Sequence, residues 1–275
     1  MFSSGHLLWI AISALLIVGG IFACIKRKPD IDQMLTVCLG IAVISEIVKI
    51  LSVVNILPMV TPTVDVANAT LDYVATGQYT PYIEMAHIPL ELCSLQIVFI
   101  AAALWSKDDK WKRRFLSIIY ATGVIGGILG IVLAYVTVDY TTVQSYFVSP
   151  RIWQFFFYHA MVVTLGLYVG ICSDKPFSYH DFKGVVAALL SMDVISMYLN
   201  SVFSQAVYVA EKPVGLVYRA NFFSSYMNPI GLVLTEKWQW MVYLLIRFAI
   251  AVVMISTLFI IQRAAWNYKH KNIIN

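Results

Sequence analysis

Residues 238–262, WQWMVYLLIRFAIAVVMISTLFIIQ, decide the fold, because only one charged side chain, Arg247, interrupts an otherwise apolar run. A helix crossing the roughly 30 Å of bilayer hydrocarbon needs about 20 such residues. Six more runs of the same character stand at 6–25, 32–58, 85–105, 115–137, 152–172 and 182–204. The whole 275-residue chain is 60% hydrophobic and 12% charged, about half the charged share of a soluble domain. A soluble enzyme, a disordered chain and a disulfide-stapled secreted domain are thereby excluded. An outer-membrane barrel is excluded too, since the runs lack the alternation of its strands. The sequence predicts an all-α membrane protein, a bundle of seven transmembrane helices forming a single domain over residues 1–275.

Basic residues set the expected orientation. Lys26, Arg27 and Lys28 follow the first span, and Lys107, Lys110, Lys112, Arg113 and Arg114 follow the third. Lys175 and Lys183 flank the start of the sixth, and Arg263, Lys269 and Lys271 lie in the tail. The opposite side holds only Arg151, Lys212, Arg219 and Lys237, while Lys49 and Arg247 fall inside spans. Basic loops stay in the cytoplasm, so the N-terminus is expected outside and the C-terminus inside. The first span has no basic residue before it and three directly after it, the reverse of a cleavable signal, and is expected to remain as an anchor.

Gly123, Gly126, Gly127 and Gly130 in the fourth span form overlapping small-xxx-small pairs. Such a stripe lets a neighbouring helix approach closely, within the chain or in a homodimer through the same face. Asn68-Ala69-Thr70 is a glycosylation tripeptide too short to carry weight. Cys24, Cys38, Cys93 and Cys172 are irregularly spaced within apolar runs, which is neither a disulfide framework nor a metal pattern. No motif calls for a cofactor, a metal or a nucleic acid. The expected partners are membrane lipids.

Ionisable groups within spans are costly unless paired or wet, and so mark candidate sites. The second span holds Glu46 and Lys49, the third His87, Glu91 and Cys93, the fifth His159, the sixth Asp193 and Asn200, and the seventh Arg247. At about 1.5 Å per residue, Cys93 and His159 both fall roughly 10–12 Å below the outer boundary, with Glu46 and Lys49 slightly deeper. In a continuous helix His87, Glu91 and Ser94 share one face. Pro89 removes a helical hydrogen bond just before Glu91 and Cys93, which predicts a kink or a fresh helix start with access for water. Glu46 and Lys49, three residues apart, can pair with each other, and Asp193 with Arg247 across two helices. Structural and functional roles are both open for these pairs.

The stretch His87-Ile88-Pro89-Leu90-Glu91-Leu92-Cys93-Ser94-Leu95 resembles the third-span signature of the bacterial YwaF-type integral membrane proteins. Trp153-Gln154-Phe155-Phe156-Phe157-Tyr158-His159 and Arg219-Ala220-Asn221-Phe222-Phe223, followed by Pro229, fit the same family in the same order. That family is distantly similar to a eukaryotic multi-span acyltransferase acting on glycerophospholipids through a cysteine. More remotely it is similar to the androgen-induced type of membrane hydrolase, which uses Thr and His. The resemblance implies a bacterial cytoplasmic membrane location, Cys93 as nucleophile and His159 as base. Glu91 departs from the family, where a second His is expected.

A thiol attacking an ester needs a base within hydrogen-bond reach, and its tetrahedral oxyanion needs donors. Asn221, Asn200 or a freed backbone N–H near Pro89 can donate, and Lys49 or Arg247 can hold a lipid phosphate. His87, Glu91, Glu46 and Asp193 complete the candidate substrate-binding set. Two principal readings stand. One is an enzyme transferring or hydrolysing a phospholipid acyl group in the outer half of the bilayer. The alternative is a small proton-coupled transporter or substrate-binding protein with no covalent chemistry, using Glu46, Asp193 and His159. A heptahelical sensor or assembly partner is a third, with little cytoplasmic surface for signalling.

Overall fold

The computed structural model describes residues 2–65, 70–84, 87–134, 136, 140, 142–173, 175–209, 212–218, 221–224 and 235–274. Its helices are α1 (Ser4–Arg27), α2 (Ile31–Val53), α3 (Leu92–Trp105), α4 (Asp109–Val132), α5 (Val143–Val148), α6 (Pro150–Cys172), α7 (Tyr179–Val202) and α8 (Lys237–Ile274). Six of them, α1, α2, α4, α6, α7 and α8, are long and apolar enough to cross a membrane. Large apolar side chains on α1 and α8 face outward, with Phe22 68% and Val253 64% exposed, the surface expected of helices whose solvent is lipid.

The third predicted span is the exception. α3 has 14 residues, which reach about 21 Å at 1.5 Å each, short of the hydrocarbon thickness. Residues 87–91 before it are irregular, so regular helix begins just after Pro89 and not at residue 85. Residues 85 and 86, Asn68 and Ala69 of the tripeptide, and Arg219, Ala220 and Pro229 lie outside the described residues.

The second span also ends earlier than its hydropathy predicts, at Val53 instead of residue 58. Pro58 lacks an N–H and restricts the residue before it, and the chain turns into β1 (Asn55–Asp65). β1 pairs antiparallel with β2 (Thr70–Tyr82), Asn55 opposite Tyr82 and Asp65 opposite Thr70. A second hairpin joins β3 (Gln205–Val209) to β4 (Lys212–Tyr218). The all-α reading describes the bundle, and the hairpins add β-structure to connections left there as loops.

Local signals fix the helix starts. Asp30 and Ser178 form capping boxes with Gln33 and Asp181, and the Asp108 carboxylate accepts the Lys110 and Trp111 N–H groups. Pro150 opens α6 at a first-turn position where its missing N–H costs nothing. The centre of the bundle is the contact of α4 with α6. There Gly127 allows Val163 and the His159 carbonyl to approach, an added Cβ lying 2.5 Å from Val163 Cγ2. Gly123 meets the Val162 carbonyl, Gly126 meets Leu92 of α3, and Gly130 lies under the His159 ring. The glycine stripe is thus covered within the chain.

The two ends of the bundle differ. At the end where α4 and α7 begin, Leu35, Ile100, Ile119, Leu165 and Val185 are fully buried in one cluster. At the end where α3 and α6 begin, the core divides. Trp9, Tyr146, Ile152 and Phe156 pack α1 against α5 and α6, while Ala42, Tyr158 and Val162 pack beside Cys93.

Candidate functional site

Cys93 is the second residue of α3. It is half-buried and packs against Ala42, Tyr158 and Val162, so α2, α3 and α6 meet there. The Tyr158 hydroxyl donates to the Cys93 carbonyl at 2.6 Å, tying the start of α3 to α6. Glu91 is the N-cap, yet its side chain makes no cap bond. The first-turn amides of α3 therefore keep no carboxylate cap, and the positive end of the helix dipole is offered to whatever sits beside the sulfur. The charges of Glu91 and Lys49 both act on the Cys93 thiol.

On α6 the helical period sorts the side chains. Arg151, Gln154 and Tyr158 stand at i, i+3 and i+7, a single stripe at about 100° per residue. That stripe faces α2 and α3. The Gln154 amide donates to Ser45 Oγ of α2 at 2.7 Å and accepts from the Arg151 guanidinium. Arg151 lies within electrostatic reach of Cys93, Glu46 and Tyr140. It also reaches His87, which sits half-buried in the irregular stretch with its N–H donating to the Glu84 carbonyl at 2.9 Å.

His159 is turned about 80° from Arg151 around the same helix. Its ring lies against Gly130 of α4 and the Phe155 ring, and only 4% of the residue is exposed. Nδ1 is 2.7 Å from the Phe155 carbonyl. A carbonyl can only accept, so Nδ1 carries the proton and Nε2 of a neutral ring is the free acceptor. No hydrogen bond joins His159 to Cys93 among the described residues.

The remaining candidates form two groups. Lys49 Nζ meets Glu46 Oε1 at 2.5 Å, the pair one turn apart on α2. Glu46 Oε1 lies outside hydrogen-bond geometry, but at that separation the charges are paired. Asp193 Oδ1 accepts from Arg247 Nη2 at 2.7 Å across α7 and α8. Beside the second pair lies the 3-10 turn Phe222–Ser224. Asn200 Oδ1 accepts from the Phe222 N–H at 2.6 Å and its amide donates to the Phe222 carbonyl at 3.1 Å. Glu91 accepts from the Phe223 N–H at 3.2 Å, and Arg247 donates to the Phe223 carbonyl. Phe223 is held at φ +57°, a left-handed conformation that a non-glycine residue keeps only where its surroundings over-determine it. Asn221 precedes this turn and is half-buried. Three candidates, Glu91, Asn200 and Arg247, the last braced by Asp193, therefore hold the turn Phe222–Ser224.

Arg151, Gln154 and Tyr158 are absent from the sequence-based site. Ser149-Pro150 was their signal, since a proline at the first helical position places Arg151 inside the helix and sets the register of the stripe. Buried Trp9 Nε1, Ser13 Oγ, Gln96 Oε1, Arg151 Nε and Arg247 Nε have no hydrogen-bond partner among the described residues. All five lie in this same half of the bundle.

Six long apolar helices define a multi-pass membrane protein. Residues 1–260 match the TMEM164 family, and the chain belongs to it. No curated protein and no solved structure matches the chain.

Proposed function

We propose that this TMEM164-family protein transfers or hydrolyses the fatty-acyl group of a phospholipid, with Cys93 as nucleophile. The observation carrying the proposal is the position of Cys93 in the uncapped first turn of α3, at the junction of α2, α3 and α6. The resemblance of His87–Leu95 to YwaF-type proteins supplies the reaction class and the bacterial cytoplasmic membrane as its setting.

The Cys93 thiol loses its proton and its sulfur attacks the ester carbonyl, forming a C–S bond. The tetrahedral oxyanion is held by α3 first-turn amides at the positive end of the helix dipole. Collapse breaks the ester C–O bond, and the departing lysolipid oxygen takes up the proton. Water or a second lipid hydroxyl then attacks the thioester, the C–S bond breaks and the thiol is restored. His159 serves as the base through Nε2. With no direct bond to Cys93, its proton path runs through a water or the lipid oxygen.

In this reading the bundle has seven spans with the N-terminus outside, α3 crossing together with residues 87–91. Irregular backbone within a membrane is tolerated where it lines a polar cavity. Cys93→Ala is expected to abolish turnover of an acyl-labelled phospholipid, and Cys38→Ala, buried in the opposite cluster, to preserve it. Full activity of Cys93→Ala overturns the proposal. The partly buried Asp193–Arg247 and Glu46–Lys49 pairs favour a second reading, a proton-coupled transporter. pH-gradient-driven flux in proteoliposomes that survives Cys93→Ala would select it.

A further inference from the structure

Arg151 differs from the other cations drawn into the bundle. Lys49 is closed by Glu46, Arg113 by Asp181 and Arg247 by Asp193. Arg151 has no carboxylate at ion-pair distance among the described residues, although it is half-buried and its Nε is sealed from solvent without a hydrogen-bond partner. Its hydrogen-bond and ring contacts among the described residues are the Gln154 amide oxygen, reached through Nη1, and the face of Phe155, 5.7 Å from the guanidinium carbon. A guanidinium has five N–H donors in a rigid fork. One is satisfied here by a neutral acceptor. A permanently charged group with a buried donor left unmet is costly, and such costs are retained where an anion is to be bound.

Its surroundings indicate which anion. Gln154 is fixed by Ser45 of α2, so the amide holds the guanidinium in one orientation. Lys49 of α2 also acts on His87 and Cys93. Lys49 is spent on Glu46, and Glu91 accepts from the Phe223 N–H, so Arg151 is the cation beside this site whose fork is left open among the described residues. Planar, paired N–H donors match two oxygens of a phosphate, and a phosphodiester can be bound at the fork while its glycerol ester reaches the neighbouring sulfur.

We propose that Arg151, oriented by Gln154, is the phosphate seat of this protein, with a glycerophospholipid headgroup as its occupant. The assignment rests on the acyl-transfer reading only for the identity of the lipid. Lys49 and Arg247, the phosphate-holding candidates of the sequence analysis, are paired with Glu46 and Asp193.

The test is lipid binding by the purified full-length protein, read by native mass spectrometry. Three probes are offered: dioleoyl phosphatidylglycerol, dioleoylglycerol with the same chains and no phosphate, and inorganic phosphate. Wild-type protein is expected to prefer the phospholipid over dioleoylglycerol by about tenfold or more, the scale of one charge-assisted bidentate contact. Arg151→Gln is expected to erase that preference, and Arg151→Lys to restore part of it. Cys93→Ala is expected to bind phospholipid as wild type does, which separates the seat from the chemistry. Inorganic phosphate retained by wild type and lost in Arg151→Gln would support the seat with the free anion as occupant. Equal affinity of wild type for the two lipids overturns the proposal, as does an unchanged preference in Arg151→Gln. Should Arg151→Gln not accumulate, the wild-type comparison and Arg151→Lys decide.

Discussion

Where α4 and α7 begin, Arg113 donates to Asp181 Oδ2 through Nε and Nη2 at 3.1 and 2.9 Å and to the Pro176 carbonyl at 2.8 Å. The same Asp181 oxygen accepts from the Ser178 N–H and hydroxyl at 2.7 and 2.8 Å. Where α3 and α6 begin, among the described residues Arg151 meets one neutral amide, Glu91 leaves its own helix uncapped, and several buried polar atoms stay without hydrogen bonds. Similar residue types are present at both ends. The difference lies in completion: one end satisfies its donors within the chain and acts as a clasp, while the other retains unspent hydrogen-bonding capacity that a ligand can use.

The comparison can be broken by substitutions at either end and in the contact between them. Gly127→Leu is expected to have the largest effect on folding, because its Cβ must enter space held by Val163 and the His159 carbonyl. A loss of about 1–3 kcal/mol follows from overpacking, measured as a lowered midpoint of thermal unfolding in detergent. Asp181→Ala should cost about 2 kcal/mol by stranding Arg113 and the Ser178 cap, with phospholipid turnover per folded molecule unchanged. Changed turnover at full stability would mean that the clasp also belongs to the site.

At the other end, Glu46→Leu is expected to destabilise more than the double variant Glu46→Leu/Lys49→Leu, since a lone buried ammonium is worse than none. A double-mutant cycle on unfolding midpoints reads this, and additivity of the two losses would deny the pair. Lys112→Ala should have the smallest effect, at most about 0.5 kcal/mol, because its partner Asp32 is 53% exposed.

Different forces explain what the sequence revealed. The long spans were legible because burial in lipid demands a contiguous apolar run. The pairs Glu46–Lys49 and Asp193–Arg247 could be anticipated from the cost of leaving either charge alone. Pro89 marked the late start of α3. The hairpin after α2 was less legible, since Ile56, Leu57 and Val60 continue the apolar run and only Asn55 and Pro58 oppose helix. Cys93 could be singled out by its neighbours in sequence. Arg151 could not, because its distinction is the lack of a carboxylate partner in three dimensions among the described residues, and as a residue beside a predicted loop it looked like an ordinary flanking charge. The placement of His159 on the α4 side and Tyr158 on the α3 side required the register of α6, which Pro150 sets.

The central claim is that Cys93 carries an acyl group during turnover. Wild-type protein incubated with an acyl-labelled phospholipid, quenched in acid and digested, should yield the Cys93 peptide with the mass of one added acyl chain, released by neutral hydroxylamine as a thioester is. An unmodified Cys93 peptide under conditions where the labelled lipid is being consumed would contradict the account.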